Sequence, residues 1–246
     1  MLREEFPGTM GRSQRIALTA VFATLSVVCD SVAGLPQFTE GVWYGWIFIL
    51  APITGIVVGP LEGFFATLIG VALGHMVYPR GSFEYLFTIG APLGSMISAL
   101  ISRQQWKPVI LYYSLLFIAY FSSPVAPQLP LWGMWDTYVA YFAILLLIIF
   151  WKTETHLTIR GRTLHLLLSA VIGLEADVLF RIFLFIPCQT YASLFHFSIE
   201  YVQEIWTLGA LVTPIQVGLS SLVTLAVTPS LLNAISSSHW FIPEKR

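Results

Sequence analysis

The chain has 246 residues, of which 57% are hydrophobic and only 10% charged, with a formal net charge of −1 and a mean hydropathy of +0.79. A soluble domain carries about 25% charged residues, so this composition excludes a water-facing surface. It also excludes nucleic acid as a partner, because such binders carry a basic stripe, and here the basic residues are scattered at the ends of apolar runs. The expected fold is all-α: a polytopic transmembrane helix bundle, one domain over 1–246, multi-pass in a cell membrane and in contact with the lipid bilayer.

A membrane span needs about 20 apolar residues. In chain order the candidate runs are 16–35, 42–59, 61–77, 83–102, 109–121, 138–151, 163–187 and 206–235. Arg12 and Arg15 before the apolar stretch 16–28, with Ser31-Val32-Ala33 after it, have the outline of a signal peptide. The run is long enough to stay as a first span. The fifth and sixth runs are short and form an inserted hairpin at 108–152, which crosses twice or not at all. Eight spans is the reading and six the alternative.

Ten of the twelve Lys and Arg residues fall in four stretches: Arg3, Arg12 and Arg15; Arg103 and Lys107; Lys152, Arg160 and Arg162; Lys245 and Arg246. Basic residues stay on the cytoplasmic side, so both termini, including the segment 1–15, are placed there for either span count. The loops 36–41, 78–82, 122–137 and 188–205 then lie outside. They carry Glu40, Asp136, Glu200 and Glu204. Trp and Tyr are dense at these outer ends and read as an interfacial belt, with one or two available to stack on a bound ring.

Gly55, Gly59 and Gly63, then Gly70 and Gly74, then Gly90 and Gly94, recur four residues apart. That spacing puts small residues on one helix face, where backbones can approach closely. Gly59-Pro60 breaks the helix and makes a tight turn between the second and third runs. With only Cys29 and Cys188, no disulfide framework or thiolate metal site is available. Two buried free thiols are expected rather than one bridge.

Ionisable residues within spans are costly and are candidates for function. They are Asp30, His75, Glu175, Asp177 and Arg181. With the orientation above, these residues gather toward the outer half, as do Thr213 and Gln216 in the last run. This describes a pocket that opens outward. Asp177 and Arg181 are four apart on one helix face and can pair. Either they neutralise each other as a lock, or Arg181 binds a carboxylate or phosphate while Asp177 or Glu175 orients it. Glu175 points to a different face. His75, near a helix end, reads as an interface residue or a contact to solute.

No His-Glu-x-x-His, Gly-x-Ser-x-Gly or Walker motif is present, and the chain reads as no enzyme, with no cofactor and no metal. Glu175 to Arg181 distantly resembles the Glu-Glu-x-x-x-Arg motif of membrane CAAX-type proteases, without the doubled Glu, and keeps an intramembrane hydrolase as a minor alternative. The main alternative is a self-contained secondary transporter, or a membrane subunit of another complex. A secondary transporter would usually show an internal repeat, and none is clear here.

Basic N-terminal residues, a first run with Ala17, Ala20 and Ala23, and an outer loop are followed by Thr54-Gly55-Ile56-Val57-Val58-Gly59-Pro60-Leu61-Glu62-Gly63 and Leu68-Ile69-Gly70-Val71-Ala72-Leu73-Gly74. Over about 12–102 this resembles the substrate-binding S component of energy-coupling factor transporters, which take up vitamins and related micronutrients. The resemblance implies a solute bound from outside, under the loop 35–42 with Glu40. It implies polar contacts from later helices, here Asp177, Arg181 and Gln216. It also implies partners: a transmembrane coupling subunit, docked through small residues such as Ala17, Ala20 and Ala23, and two ATPase subunits. Members of that family have six spans, two fewer than are read here.

Overall fold

A computed structural model of the chain describes residues 11–32, 45–79, 82–151 and 159–237. Its helices are α1 (Arg12–Ser31), α2 (Ile47–Val58), α3 (Pro60–Val77), α4 (Ser82–Phe87), α5 (Gly90–Ser102), α6 (Trp106–Phe121), α7 (Trp135–Trp151), α8 (Ile159–Phe185), α9 (Thr190–Ser193) and α10 (Ile199–Ser237). Two 3-10 turns, Ala126–Gln128 and Leu131–Met134, lie between α6 and α7. Each apolar run read from the sequence is helical over most of its described part. Among the described residues, four segments are long and apolar enough to cross a membrane: Pro60–Val77, Glu84–Ser102, Leu131–Ile149 and Ile199–Ser237.

The outward faces suit lipid. On α3, Leu61, Phe65, Ile69, Leu73 and Met76 are all exposed. Its other face, with Gly63, Ala66, Gly70 and Gly74, is buried. An apolar stripe of this kind on several helices exceeds what a water-soluble monomer displays.

Close approach at glycine sets the packing. α1 lies along α3, with Ser26 against Gly70 and Asp30 against Gly74. α5 is central and packs on α2, α3 and α8. Gly59 has φ of +130°, a conformation that favours glycine, and it turns the chain directly from α2 into α3 with Pro60 at the first helical position. α6, α7 and α8 enclose a second core with α5, in which Tyr113 and Tyr120 are fully buried.

Prolines inside helices free backbone carbonyls, and neighbours fill them. Pro52 in α2 cannot donate to the carbonyl of Phe48, four residues back. That carbonyl accepts the Ser220 hydroxyl of α10 at 2.7 Å. Pro214 in α10 likewise cannot bond the carbonyl of Ala210, which accepts the Trp135 indole N–H at 3.0 Å. In lipid an unfilled carbonyl costs several kcal/mol, so these bonds hold α10 against α2 and α7. Pro92 acts differently. The fourth run, read as one helix over 83–102, is broken at Thr88–Ile89 into α4 and α5, because a proline at 92 lacks the N–H for the Thr88 carbonyl and its ring crowds that oxygen.

The bundle has two chemically distinct ends. At one, Arg15 reaches Glu62 at 3.5 Å, and Arg103 packs beside Gly59. His165 Nε2 lies 3.2 Å from the Ser102 carbonyl oxygen at this basic end. The other end holds Asp30, Glu84, Asp136, Asp177 and Arg181. Here the last helix begins at Ile199, earlier than the run 206–235 read from the sequence, so Glu200 and Glu204 are exposed on helix rather than on loop. Both cysteines are free, as expected, but Cys188 is exposed and Cys29 half-buried, so they are not the buried pair read from the sequence.

Candidate functional site

At the end opposite the basic residues lies a cavity of about 200 Å³. Residues of α1, α2, α3, α4, α5, α7, α8 and α10 line it. Each wall can be traced to local sequence.

The α1–α3 wall is built by glycine. Gly74 on α3 leaves room for the Asp30 carboxylate, which is fully buried. One residue on, His75 places Nε2 3.6 Å from Asp30 Oδ2, with both side chains at most 2% exposed. The break after α4 turns Thr88 toward the same imidazole, with Oγ1 3.3 Å from Nδ1. The Tyr85 hydroxyl donates to the His75 carbonyl at 3.3 Å, and its ring meets the imidazole edge-on at 5.3 Å.

The α4–α8 wall is a charge triad. Arg181 Nε donates to Asp177 Oδ1 at 2.8 Å, and Arg181 Nη1 lies 3.5 Å from Glu84 Oε1. The guanidinium carbon sits 5.6 Å from the centre of the Phe87 ring, within cation–π range. Gly90, at the start of α5, has no side chain because Asp177 Oδ1 occupies that space. The first pair is short and charge-assisted, while the second is at the limit of a hydrogen bond.

The α7–α10 wall carries Asp136, Trp206, Gly209, Thr213 and Gln216. The α10 residues recur at three- and four-residue spacing, one face of a helix. Trp206 is buried, stacks on Tyr120 at 5.8 Å and 9°, and packs against Gly133. It belongs to the core and the cavity rather than to an outer aromatic belt. Asp136 is 7% exposed, and its Oδ1 accepts the Thr137 N–H at 2.9 Å.

The residues singled out from sequence are placed as follows. Asp30, His75, Asp177, Arg181 and Gln216 line the cavity together, as does Thr213. Glu175 does not line it. It faces the other side of α8, is 2% exposed, and lies close enough to Asp136 and Asp177 for their charges to act on it. Around it the α6 tyrosines bond the α8 backbone: Tyr112 donates to the Ala176 carbonyl at 2.7 Å and Tyr113 to that of Ile172 at 2.6 Å. Glu40 lies outside the described residues. Ala17 and Ala20 are exposed on α1, whereas Ala23 is buried beside Gly70 of α3 and the α2 core, away from any docking surface.

Sequence reasoning missed two acids of the cavity. Glu84 stands at the head of an apolar run, and Asp136 falls by sequence in the outer loop 122–137. One signal for Glu84 was available: it lies at the depth of Arg181. Among the described residues no three His, Cys, Asp or Glu side chains come together as metal ligands. Comparison of the chain with protein-family models, curated proteins and solved structures finds no match.

Proposed function

We propose that the protein is the membrane-embedded substrate-capture subunit of a vitamin or micronutrient uptake transporter, of the S-component kind, and that it takes a small solute from the outer face. The observation that carries this reading is the position of the cavity. It lies at one end of the bundle, opposite the end that holds Arg15, Arg103 and His165. With the basic end cytoplasmic, all eight apolar runs cross, both termini lie inside, and the cavity faces out. A receptor that delivers its solute to a partner needs only this one-ended site. Its volume of about 200 Å³ is below the 300–1,000 Å³ of drug-sized pockets, which suits a compact solute. On this reading the energy comes from a transmembrane coupling subunit with two ATPase subunits, and Ala17 and Ala20 on the exposed side of α1 are available for docking.

Two glycines of α10 supply the test. A Cβ at Gly209, which lines the cavity, or at Gly218, which does not, would meet nothing within 4 Å. Both positions leave room for a side chain to start, and leucine gains helix propensity over glycine at each. Native mass spectrometry of the protein purified in lipid nanodiscs is expected to show the same bound small molecule on the wild type and on Gly218→Leu, and none on Gly209→Leu. A wild type that carries no small molecule, or a Gly209→Leu variant that keeps it, would overturn the capture reading.

A further inference from the structure

We infer that the solute taken into this cavity is a compact organic cation, and that Asp136 is the carboxylate that receives its charge. This rests on the capture reading above and adds the chemical class of the solute.

Arg181 is the only Lys or Arg among the described lining residues, and it is already matched. Asp177 and Glu84 approach it from two helices. An incoming carboxylate or phosphate at Arg181 would meet those two acids. The anion-binding role considered for Arg181 is therefore opposed by its own surroundings.

Asp136 is the reverse case. It lines the cavity at 7% exposure, and no Lys, Arg or His among the described residues pairs with it. A helix N-terminus favours an acid in its first turn, and the Thr137 N–H on Oδ1 fits that role. The contacts given to the carboxylate come from backbone N–H groups, of Thr137 and of Asp136 itself. Glu175 stands behind it, with Oε2 buried and lacking a hydrogen-bond partner. Two neighbouring buried carboxylates, with no cation between them among the described residues, are costly unless protons are retained or a bound cation supplies the missing charge.

The surrounding wall fits an organic cation better than a hydrated ion. Trp206, the aromatic side chain that attracts cations best, lines the cavity and packs on Gly133, one helical turn before Asp136. Ile47, Val71, Leu174 and Val178 give the rest of the lining an apolar character. A protonated amine or quaternary ammonium on a small apolar body would place its charge at Asp136 and its body against these residues.

Three probes of matched shape test this: benzylamine, which is protonated at pH 7, benzyl alcohol and benzoate. Binding is measured by calorimetry on the full chain in nanodiscs. Benzylamine is expected to bind at least tenfold more tightly than benzyl alcohol, and benzoate more weakly than either. Asp136→Asn, which keeps the acceptor for the Thr137 N–H, is expected to weaken benzylamine at least tenfold and change benzyl alcohol less than twofold. Benzoate binding more tightly than benzylamine, no benzylamine binding, or unchanged selectivity in Asp136→Asn would overturn the inference. The mass of the co-purified molecule separates the two readings. An anionic molecule lost in Gly209→Leu would leave solute capture standing and overturn the cation, whereas no molecule at all would overturn capture itself.

Discussion

Replacing Arg181 by methionine keeps a long side chain over Phe87 but removes a charge shared by two helices. Asp177 and Glu84 are 13% and 6% exposed at their side chains, so the substitution leaves two largely buried carboxylates without their cation. Removing one partner of a buried pair costs about 3–5 kcal/mol. The Arg181 side chain is 33% exposed, so solvent screening lowers the expected loss to about 2–3 kcal/mol. The loss divides unequally. The Nε–Oδ1 bond at 2.8 Å is a well-formed charge-assisted hydrogen bond, whereas the approach to Glu84 at 3.5 Å is mainly Coulombic. Double-mutant cycles should give a coupling of about 2 kcal/mol for Arg181→Met with Asp177→Asn, and about 1 kcal/mol or less with Glu84→Gln. Reversible unfolding in mixed micelles, titrated with SDS, gives the four free energies of each cycle. A coupling to Asp177 below about 0.5 kcal/mol, or one smaller than the coupling to Glu84, would refute the assignment of the triad.

Gly90→Ala sets two effects against each other. Helix propensity favours alanine by about 1 kcal/mol, but the new methyl would occupy the space held by Asp177 Oδ1. Overpacking of that kind costs about 1–3 kcal/mol. A net loss of stability, with weakened coupling between Asp177 and Arg181, is expected in the same unfolding assay, and a stabilised variant would contradict the packing. Cys188 is exposed in the turn after α8, and burial of its thiol raises its pKa above the ordinary value of 9.0. Since the thiolate is the reactive form, labelling by an impermeant maleimide on intact cells should occur from outside and rise about tenfold per pH unit from 7 to 8.5. A plateau in that range, or labelling only after lysis, would contradict the thiol's environment or the orientation.

Basic residues at the ends of apolar runs give a ruler along the sequence. On that ruler Asp30, His75, Asp177, Arg181 and Gln216 fall toward one end, and in the structure they line one cavity. The four-residue spacing of Gly70 and Gly74, or of Gly90 and Gly94, marked faces of close approach. Spacing along one helix does not say which helix lies opposite, so Glu84, 97 residues from Arg181, was invisible as its partner. Asp136 was missed for a related reason. Loop composition marks a residue as polar, but only the turn Leu131–Met134 and the start of α7 fold it inward. The i, i+4 pair of Asp177 and Arg181 was found because it is local.

The two carbonyls freed by proline bear on how the chain is assembled. The Phe48 acceptor lies near the beginning of the chain and its donor, Ser220, 172 residues later. Until α10 packs against α2, that oxygen lacks this donor. The Ala210 acceptor belongs to the last helix itself, and its donor on Trp135 is already in place when α10 arrives. Insertion of α10 therefore completes two polar contacts at once, one with the earliest part of the bundle and one with the middle. A chain truncated before residue 210 would lack both, and the Phe48 carbonyl of α2 would be left without the Ser220 donor. The last helix is in this sense the closing piece of the bundle, and the cavity wall it brings is formed only when the chain is nearly complete.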